Sequence, residues 1–194
     1  FEYKYRKTFA YVPLKAEEAP RGEIGIPRVL NQYENFPFWF TVLTKLGFRV
    51  MLSARSSHKI YESGMETIPS ESVCYPAKLV HGHIENLISR GIKTIFYPDI
   101  PYEHVENKAS NNHFNCPIVC SYPEVIKNNV ENLQEYSIRY INPFMPLDNL
   151  KSVAQNLTKC FDYCAVTLEE AQAAVDAGAE EYLRFKEDIR AEGD

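Results

Sequence analysis

A strand–helix–strand pattern over residues 23–53 constrains the fold of this chain more than any other feature of its sequence. Residues 23–30 are expected to form a first strand that ends in a turn. Residues 32–46 then carry aromatic and aliphatic side chains at helical spacing, and residues 48–53 form a second apolar run. A crossover of this length joins two strands that run in the same direction. The pattern therefore predicts a parallel sheet.

The alternation of strands and helices continues along the chain and predicts a three-layer, Rossmann-like α/β domain. Further strands are expected at residues 93–97, 117–121 and 137–141, and further helices at 56–64, 76–91, 121–133, 147–161 and from 167 onward. The sheet is then mostly parallel, with about four or five strands and helices on both faces. We expect an N-terminal wrapping segment at 1–22, an α/β lobe at 23–166, and a C-terminal helix at 167–194 leading to a second lobe.

The composition of the chain argues against nucleic-acid binding and membrane association. A hydrophobic content of 45% is enough to fill a core, and the net charge of −5 comes from interspersed signs that provide no basic surface for nucleic acid. There is no apolar run of membrane-spanning length and no secretory signal pattern, so no membrane association is expected. Five cysteines without a dense framework favour a reducing, cytoplasmic setting, where thiols are available for a metal or for chemistry.

Cys74 is the first candidate site residue. It lies two residues before Pro76, at the start of a predicted amphipathic helix, and proline is tolerated only in the first turn. The free N–H groups at a helix start stabilise a thiolate. Lys78 and His81 follow on the same side by helical spacing and are expected to add positive potential. Such a thiolate suits a metal, an iron–sulfur cluster or a nucleophile; the alternative is a small buried side chain.

Two other candidates follow predicted strands, at the edge where open α/β sheets bind ligands. Arg28 follows the first strand and is a candidate for substrate binding or charge compensation. Asp99 follows the strand at 93–97 and could ligate a metal, act as a base, or be a solvated turn residue. The first strand has no glycine-rich phosphate loop after it and the chain has no Walker pattern, which argues against nucleotide binding by the standard devices.

Cys116 is the last candidate, and its position depends on the topology. It precedes Pro117 as Cys74 closely precedes Pro76. If residues 117–121 form a parallel strand, Cys116 enters the sheet at the edge opposite Cys74. The two thiols meet only if the long connection at 100–115 stays on the carboxyl side, or if that strand is antiparallel. The remaining cysteines are expected to be buried thiols: Cys120, Cys160 and Cys164.

Four segments resemble a known family. They are Ile24-Gly-Ile-Pro-Arg-Val-Leu-Asn-Gln-Tyr-Glu-Asn-Phe-Pro-Phe-Trp39, Ser70-Glu-Ser-Val-Cys-Tyr-Pro-Ala-Lys-Leu-Val-His-Gly-His83, Phe96-Tyr-Pro-Asp-Ile-Pro-Tyr102 and Asn112-His-Phe-Asn-Cys-Pro-Ile-Val119. Together they resemble the uncharacterised domain of large CoA-substrate-specific enzyme activases. That family is related to 2-hydroxyacyl-CoA dehydratases, benzoyl-CoA reductases and double-cubane cluster proteins. The resemblance extends over roughly residues 3–190.

The resemblance implies an iron–sulfur protein of anaerobic metabolism, in which cysteines hold a 4Fe–4S type cluster at the mouth of a Rossmann-like lobe. Cys74 and Cys116 match cluster-type positions, whereas Asp99 stands where relatives carry a third cysteine. Two thiolates and a carboxylate could hold the cluster, or this member could lack it. Thiolates favour iron–sulfur or zinc over hard cations.

Three functions remain open from the sequence. The first is a cluster-binding lobe that relays low-potential electrons toward a CoA-thioester dehydratase or reductase. The second is a cofactor-free binding or assembly module of a larger activase, and the third is thiol chemistry at Cys74 alone. The resemblance also implies a second α/β lobe as partner, or a homodimer. The aromatic run at 33–39 and the last helix are the expected contact surfaces.

Overall fold

The computed structural model describes residues 1–193, and within that range it contains four strands and eight α-helices. The strands are β1 Glu23–Ile26, β2 Arg49–Leu52, β3 Thr94–Phe96 and β4 Arg139–Ile141. The helices are α1 Glu2–Thr8, α2 Gln32–Lys45, α3 His58–Gly64, α4 Tyr75–Ser89, α5 Pro117–Asn129, α6 Asn132–Glu135, α7 Leu150–Cys160 and α8 Leu168–Gly193. None of these eight helices combines the length and the apolar character that a membrane crossing requires.

The sheet is parallel throughout, with strand order β2-β1-β3-β4. Ile24 pairs with Val50 on one side of β1, and Gly25 pairs with Ile95 on the other. The chain moves outward from β1 to β2 and then crosses back to β3, so the direction of winding reverses between β1 and β3. This confirms the predicted α/β class and marks the carboxyl ends of β1 and β3 as the switch point where such sheets bind ligands.

Two apolar layers cover the two faces of the sheet. The first contains α2, α7 and α8, with fully buried aromatic side chains such as Trp39, Phe96 and Phe161. The second contains α4, α5 and α6. Its buried residues include Ile84 of α4 and Ile126 of α5. The helices that carry the candidate cysteines thus share one face of the sheet.

The aromatic run at 33–39 and the last helix do not form the exposed surface that the sequence predicts. Phe36, Phe38 and Trp39 belong to α2, and their side chains are buried in the core. The last helix packs along α2, where a Cβ added at Gly178 would lie 2.6 Å from Val42 Cγ2. The apolar stripe of α8 packs against the aromatic face of α2, and this close packing buries both helix faces.

The N-terminal segment contains a helix rather than only a wrapping loop. Helix α1 lies against α2 and α8. Tyr3 Oη donates a hydrogen bond to Asp188 of α8 at 3.1 Å, and Lys4 pairs with Glu34 of α2. The first residues therefore pack on the same layer as the long C-terminal helix.

The predicted strand at 117–121 is wrong, because these residues open α5. Pro117 occupies the first turn of a helix, where its missing N–H is not needed. Tyr122 and Ile126 then face the core at helical spacing. The helix predicted to begin at Ser121 starts four residues earlier, and the Ser121 hydroxyl donates to the Pro117 carbonyl at 2.8 Å instead of capping a new helix.

Candidate functional site

Cys74 is the N-cap residue of α4. Its backbone is extended (φ −60°, ψ 147°), and its carbonyl accepts hydrogen bonds from Ala77 at 3.0 Å and Lys78 at 3.2 Å. The thiol is exposed and makes no capping bond within residues 1–193. Pro76 leaves the first turn without one donor, as expected at this position. The sulfur atom is therefore free to bind something else at the positive end of the helix.

Cys116 occupies the same position at the start of α5. Its backbone angles, φ −62° and ψ 148°, nearly equal those of Cys74, and its thiol is also exposed. Its carbonyl accepts a hydrogen bond from the Cys120 N–H at 3.2 Å. Like Cys74, it makes no side-chain capping bond with the described residues. The two cysteines are thus structurally equivalent N-caps on two helices.

The two helices run in the same direction and begin at the same edge of the sheet. Helix α4 leads back to the start of β3, and α5 leads through α6 to the start of β4. His81 Nε2 and Tyr122 Oη are 3.0 Å apart across the helix pair. His81 lies seven residues after Cys74 and Tyr122 lies six after Cys116, so the contact joins the two helices at a similar distance from their starts. Both thiols lie at the carboxyl edge, although residues 117–121 are not a strand.

His81 joins the two helices and does not supply the expected positive charge. It is fully buried, and its Nδ1 lies 2.7 Å from Thr67 Oγ1. Burial lowers the pKa of His81 to about 4, so the ring is neutral at pH 7. Burial and then the charge of Cys74 raise the pKa of its partner Tyr122 to about 12. Lys78 is half-buried, and its Nζ donates to the Glu71 carbonyl at 2.7 Å.

Asp99 lies three residues after the end of β3, and its backbone is held by the segment after β4. Its N–H donates to Pro143 and its carbonyl accepts from Met145, at 2.9 and 2.8 Å. The side chain is buried, and Oδ1 has no hydrogen-bond partner among residues 1–193. Burial, followed by the charge of Glu124, raises the pKa of Asp99 to about 7. The structure therefore shows Asp99 as a buried carboxyl group, in contrast to the two exposed thiols.

The long connection at 100–115 is held in place by Glu103. Its carboxylate accepts hydrogen bonds from the side-chain amides of Asn31 at 3.3 Å, Asn35 at 2.8 Å and Asn115 at 2.6 Å. Asn115 immediately precedes Cys116, and its amide also donates to the Ile100 carbonyl at 2.9 Å. Glu103 therefore ties the start of α5 to the start of α2. Glu103 was not among the predicted site residues, and only the asparagines before Cys116 indicate in the sequence that a polar acceptor is needed there.

Replacing Glu103 with alanine should loosen the segment that positions Cys116. Three amide donors lose a charged acceptor, and such bonds contribute more than neutral ones. We expect a loss of about 1–3 kcal/mol in the free energy of unfolding, with faster amide hydrogen exchange over residues 112–116. Urea titration and exchange mass spectrometry measure the two effects. The exposed Glu135→Ala should change neither, and unchanged exchange in Glu103→Ala would show that the loop does not depend on this carboxylate.

Arg28 follows β1 and borders a pocket beside α4. Its N–H donates to Ser53 Oγ at 2.8 Å, its Nη1 donates to Tyr5 Oη at 2.6 Å, and its guanidinium lies 4.6 Å from the centre of the Phe9 ring. The pocket has a volume of about 330 Å³. It is lined by Arg28, Val29, Leu30, Tyr33, Ser56, Pro76 and Leu79. The carboxyl end of β1 and the first turn of α4 thus enclose a largely apolar space with one cation at its wall.

His83 is a second buried histidine that the sequence analysis did not place in the site. Its Nδ1 lies 2.8 Å from Ser53 Oγ and its Nε2 lies 3.0 Å from Ser56 Oγ. Burial, followed by the charge of Arg28, lowers the pKa of His83 to about 4. The neutral ring therefore joins α4 to the segment after β2 and keeps the pocket wall in position.

The other cysteines divide into two groups. Cys160 and Cys164 lie at the end of α7 and in the turn after it, in the layer with α2 and α8. Burial raises the pKa of Cys160 to about 12, but Cys160, Cys164 and Cys120 are half-buried and not fully buried as predicted. Cys120 lies on α5, one turn after Cys116. Within residues 1–193, no group of three or more His, Cys, Asp or Glu side chains is arranged to hold a metal ion.

An open parallel sheet with helices on both faces, and with two exposed N-cap thiols at its carboxyl edge, defines a Rossmann-like α/β domain with a candidate thiolate site. A family model, the CoA enzyme activase uncharacterised domain (DUF2229), matches residues 23–194. The chain belongs to this family, and the match confirms the resemblance seen in the sequence. Neither the curated proteins nor the solved structures contain a significant match to the chain.

Proposed function

We propose that this domain is the cluster-binding lobe of a CoA-substrate-specific enzyme activase, similar to the iron–sulfur proteins of the 2-hydroxyacyl-CoA dehydratase group. It holds a 4Fe–4S type cluster and relays low-potential electrons toward a CoA-thioester dehydratase or reductase in the cytoplasm. One observation supports this proposal above the others. Cys74 and Cys116 are exposed N-cap residues of two adjacent helices that begin at the sheet's carboxyl edge.

The chemistry of these two residues fits such a cluster. Thiolates are the usual protein ligands of iron–sulfur clusters, and both sulfur atoms are free of capping bonds to the described residues. A cluster held by thiolates is an anion, and two helix N-termini together with the half-buried Lys78 provide positive potential beside it. A cluster is also several ångströms across, so its ligands are further apart than those of a single ion. When bound, it supplies one-electron chemistry, while the protein holds it and offsets its charge.

Exposed aromatic side chains beside the thiols support the proposal that a partner covers this edge. Tyr75, next to Cys74, is 55% exposed, and Phe114, two residues before Cys116, is 65% exposed. Aromatic residues are enriched where proteins bind one another. A second α/β lobe or a second copy of the chain would shield a cluster here from water.

The alternative is a cofactor-free binding or assembly module of a larger activase. The burial of Asp99 favours this alternative, because a buried carboxyl group is less accessible to a cluster than the two exposed thiols are. The pocket beside Arg28 would then serve as the binding surface. The two functions differ in whether the cysteines bind iron.

Anaerobic reconstitution with iron and sulfide separates the two functions. We expect a brown protein with a broad absorbance shoulder in the blue part of the spectrum and about four iron atoms per chain. Cys74→Ser and Cys116→Ser should each lose most of the iron and the colour, because each removes a ligand. Cys160→Ser is the matched control and should retain both, since Cys160 lies in the opposite layer. A colourless wild-type protein would rule out the cluster and favour the binding module.

A further inference from the structure

Arg28 carries a positive charge without an acidic partner at the wall of the pocket beside α4. None of the ion pairs among residues 1–193 includes it. Its Nη1 donates to the neutral Tyr5 hydroxyl at 2.6 Å, and its Nε is buried without a hydrogen-bond partner in the same residues. The centres of the Tyr5 and Phe9 rings lie 5.8 and 4.6 Å from its Cζ, and the rings attract the cation without neutralising it. The charge is therefore available to an anion that enters the pocket.

A second cation adds to the positive potential around Tyr5. The Cζ atom of Arg55 lies 4.5 Å from the centre of the same tyrosine ring. Arg55 is exposed and forms a long ion pair with Glu2, at 3.8 Å. Two guanidinium groups thus share one ring, and like charges so placed repel each other. A bound anion next to Arg28 would offset that repulsion.

The rest of the pocket wall is largely apolar. Its aliphatic lining comes from Val29, Leu30, Pro76 and Leu79. The two hydroxyl groups in the lining already have partners, since Ser56 Oγ lies 3.3 Å from Tyr33 Oη and 3.0 Å from His83 Nε2. The pocket volume of about 330 Å³ is at the small end of the range of about 300–1,000 Å³ that is typical of ligand pockets. The space therefore suits a short chain or a single ring.

The loop that carries part of this wall has a strained backbone. Leu30 has a φ of 45°, in the left-handed region that a bulky side chain seldom adopts. The turn is fixed on both sides, because the Arg28 N–H donates to Ser53 Oγ at 2.8 Å and the Val29 carbonyl accepts from the Gln32 N–H at 2.9 Å. Backbone strain of this kind is concentrated at ligand sites. The pocket wall is therefore preformed and needs no ligand to order it.

The backbone around the pocket favours a carboxylate over a phosphate. Sheets of this type bind phosphate through free N–H groups at the start of the helix that follows the first strand. Here the N–H groups of residues 32–34 donate to the carbonyls of residues 29–31 at 2.9, 3.2 and 3.0 Å. Pro76, in the first turn of α4, has no N–H to offer. The planar guanidinium of Arg28 remains, and it matches the two oxygen atoms of one carboxylate.

We propose that this pocket binds a small carboxylate with a short apolar body. Arg28 pairs with the carboxylate group, while Leu30 and Leu79 contact the body. The inference goes beyond the cluster proposal, because the pocket can fill whether or not Cys74 and Cys116 bind iron. It also gives the binding-module alternative a definite class of ligand.

NMR chemical-shift titration of the iron-free protein tests this proposal. The probes are hexanoate, its neutral analogue hexanamide, and acetate, which has the charge but lacks the apolar body. We expect saturable binding of hexanoate, with the largest shifts at the amides of residues 28–33 and 77–79. Hexanamide and acetate should each bind about tenfold more weakly or worse, because each lacks one of the two parts that the pocket recognises.

Two variants remove these two parts separately. Arg28→Gln should weaken hexanoate binding about tenfold or more and leave hexanamide binding nearly unchanged. Leu79→Trp fills the apolar space and should abolish the binding of both, with Arg28 still in place. Arg90→Gln, at an exposed position at the opposite end of α4, is the matched control and should bind hexanoate as the wild type does. Circular dichroism verifies that each variant is folded.

Three results would overturn the inference. One is equal hexanoate binding by the wild type, Arg28→Gln and Leu79→Trp, and another is a set of shifts that lies away from the pocket. The third is binding of inorganic phosphate as tightly as hexanoate with the same shifts, which would indicate a general anion site. The cluster is measured separately. If the wild type forms a cluster but does not bind hexanoate, the proposed function stands and this inference is wrong; if it binds hexanoate but forms no cluster, the reverse holds.

Discussion

Gly82→Ala should lower the free energy of unfolding by about 3–5 kcal/mol, more than overpacking usually does. A Cβ at this position of α4 would lie 1.7 Å from the carbonyl oxygen of Ile60 and 2.6 Å from its carbonyl carbon. These are backbone atoms of α3, so no side-chain rotation relieves the clash. The opposing Gly64 shows the same closeness, since its Cβ would lie 2.1 Å from the Gly82 nitrogen. Urea titration followed by circular dichroism measures the loss.

Substitutions at two other glycines provide the comparison for the loss of stability in Gly82→Ala. In Gly193→Ala the added Cβ meets no atom of residues 1–193 within 4 Å, so stability should stay within about 0.5 kcal/mol. In Gly25→Ala the nearest atoms are the flexible ends of Ile92 and Leu87, at 2.9 and 3.2 Å, and the cost should be about 1–2 kcal/mol. If Gly82→Ala costs no more than Gly25→Ala, then α3 can separate from α4 and does not fix the position of Cys74.

Most of the fold could be predicted from the sequence because its strongest signals are local. The helix predicted at 32–46 is α2 at Gln32–Lys45, and its neighbours β1 and β2 pair in parallel as the crossover requires. The last helix, predicted from residue 167 onward, begins with a capping box. Thr167 Oγ1 accepts from the Glu170 N–H, and Glu170 accepts from the Thr167 N–H. Periodicity and capping are properties of a few neighbouring residues, so they can be read without knowing the tertiary structure.

The strand predicted at 117–121 shows where such patterns are ambiguous. Ile118 and Cys120 alternate over too few residues to distinguish a strand from a helix. The decisive signal was Pro117, which suits the first turn of a helix and not the middle of a sheet. Pro76 occupies the same position in the first turn of α4. If Pro117 is likewise read as a helix start, Cys116 lies at the carboxyl edge with Cys74.

The electrostatic features of the site depend on contacts that no local pattern shows. Glu103 binds Asn35, which is 68 residues away in sequence, and His81 meets Tyr122 41 residues away. Spacing placed His81 correctly on the helix, but its charge depends on burial between α4 and α5. The positions of the candidate thiols were therefore accessible from sequence, whereas the protonation states around them were not.

Asp99→Asn should raise the free energy of unfolding at pH 8 by about 2–4 kcal/mol, since each pKa unit corresponds to about 1.4 kcal/mol. Burial and the charge of Glu124 raise the pKa of Asp99 from 3.8 to about 7, while Lys127 and Asn142 act in the opposite direction. Between these two pH values the folded protein holds a proton that the unfolded chain has lost. The contribution of Asp99 to stability therefore falls as the pH rises from about 4 to 7, and its full penalty remains above pH 7. Asparagine removes that penalty.

The pH dependence distinguishes this effect from a change in packing. The gain from Asp99→Asn should be largest at pH 8, shrink as the pH falls below 7, and nearly disappear at about pH 3, where the carboxyl group is protonated in the folded protein and largely so in the unfolded chain. Denaturant titrations at four or five pH values measure it. Asp148→Asn, at an exposed position in the segment after β4, should show no such trend.

Two outcomes would contradict this account of Asp99. A gain that is constant with pH would mean that asparagine packs better than aspartate. A loss of stability at pH 8 would mean that the ionised carboxylate is bonded in the folded state. In that case Asp99 would again be a candidate ligand, because the buried Oδ1 atom would have a partner to which only the charged form can bind.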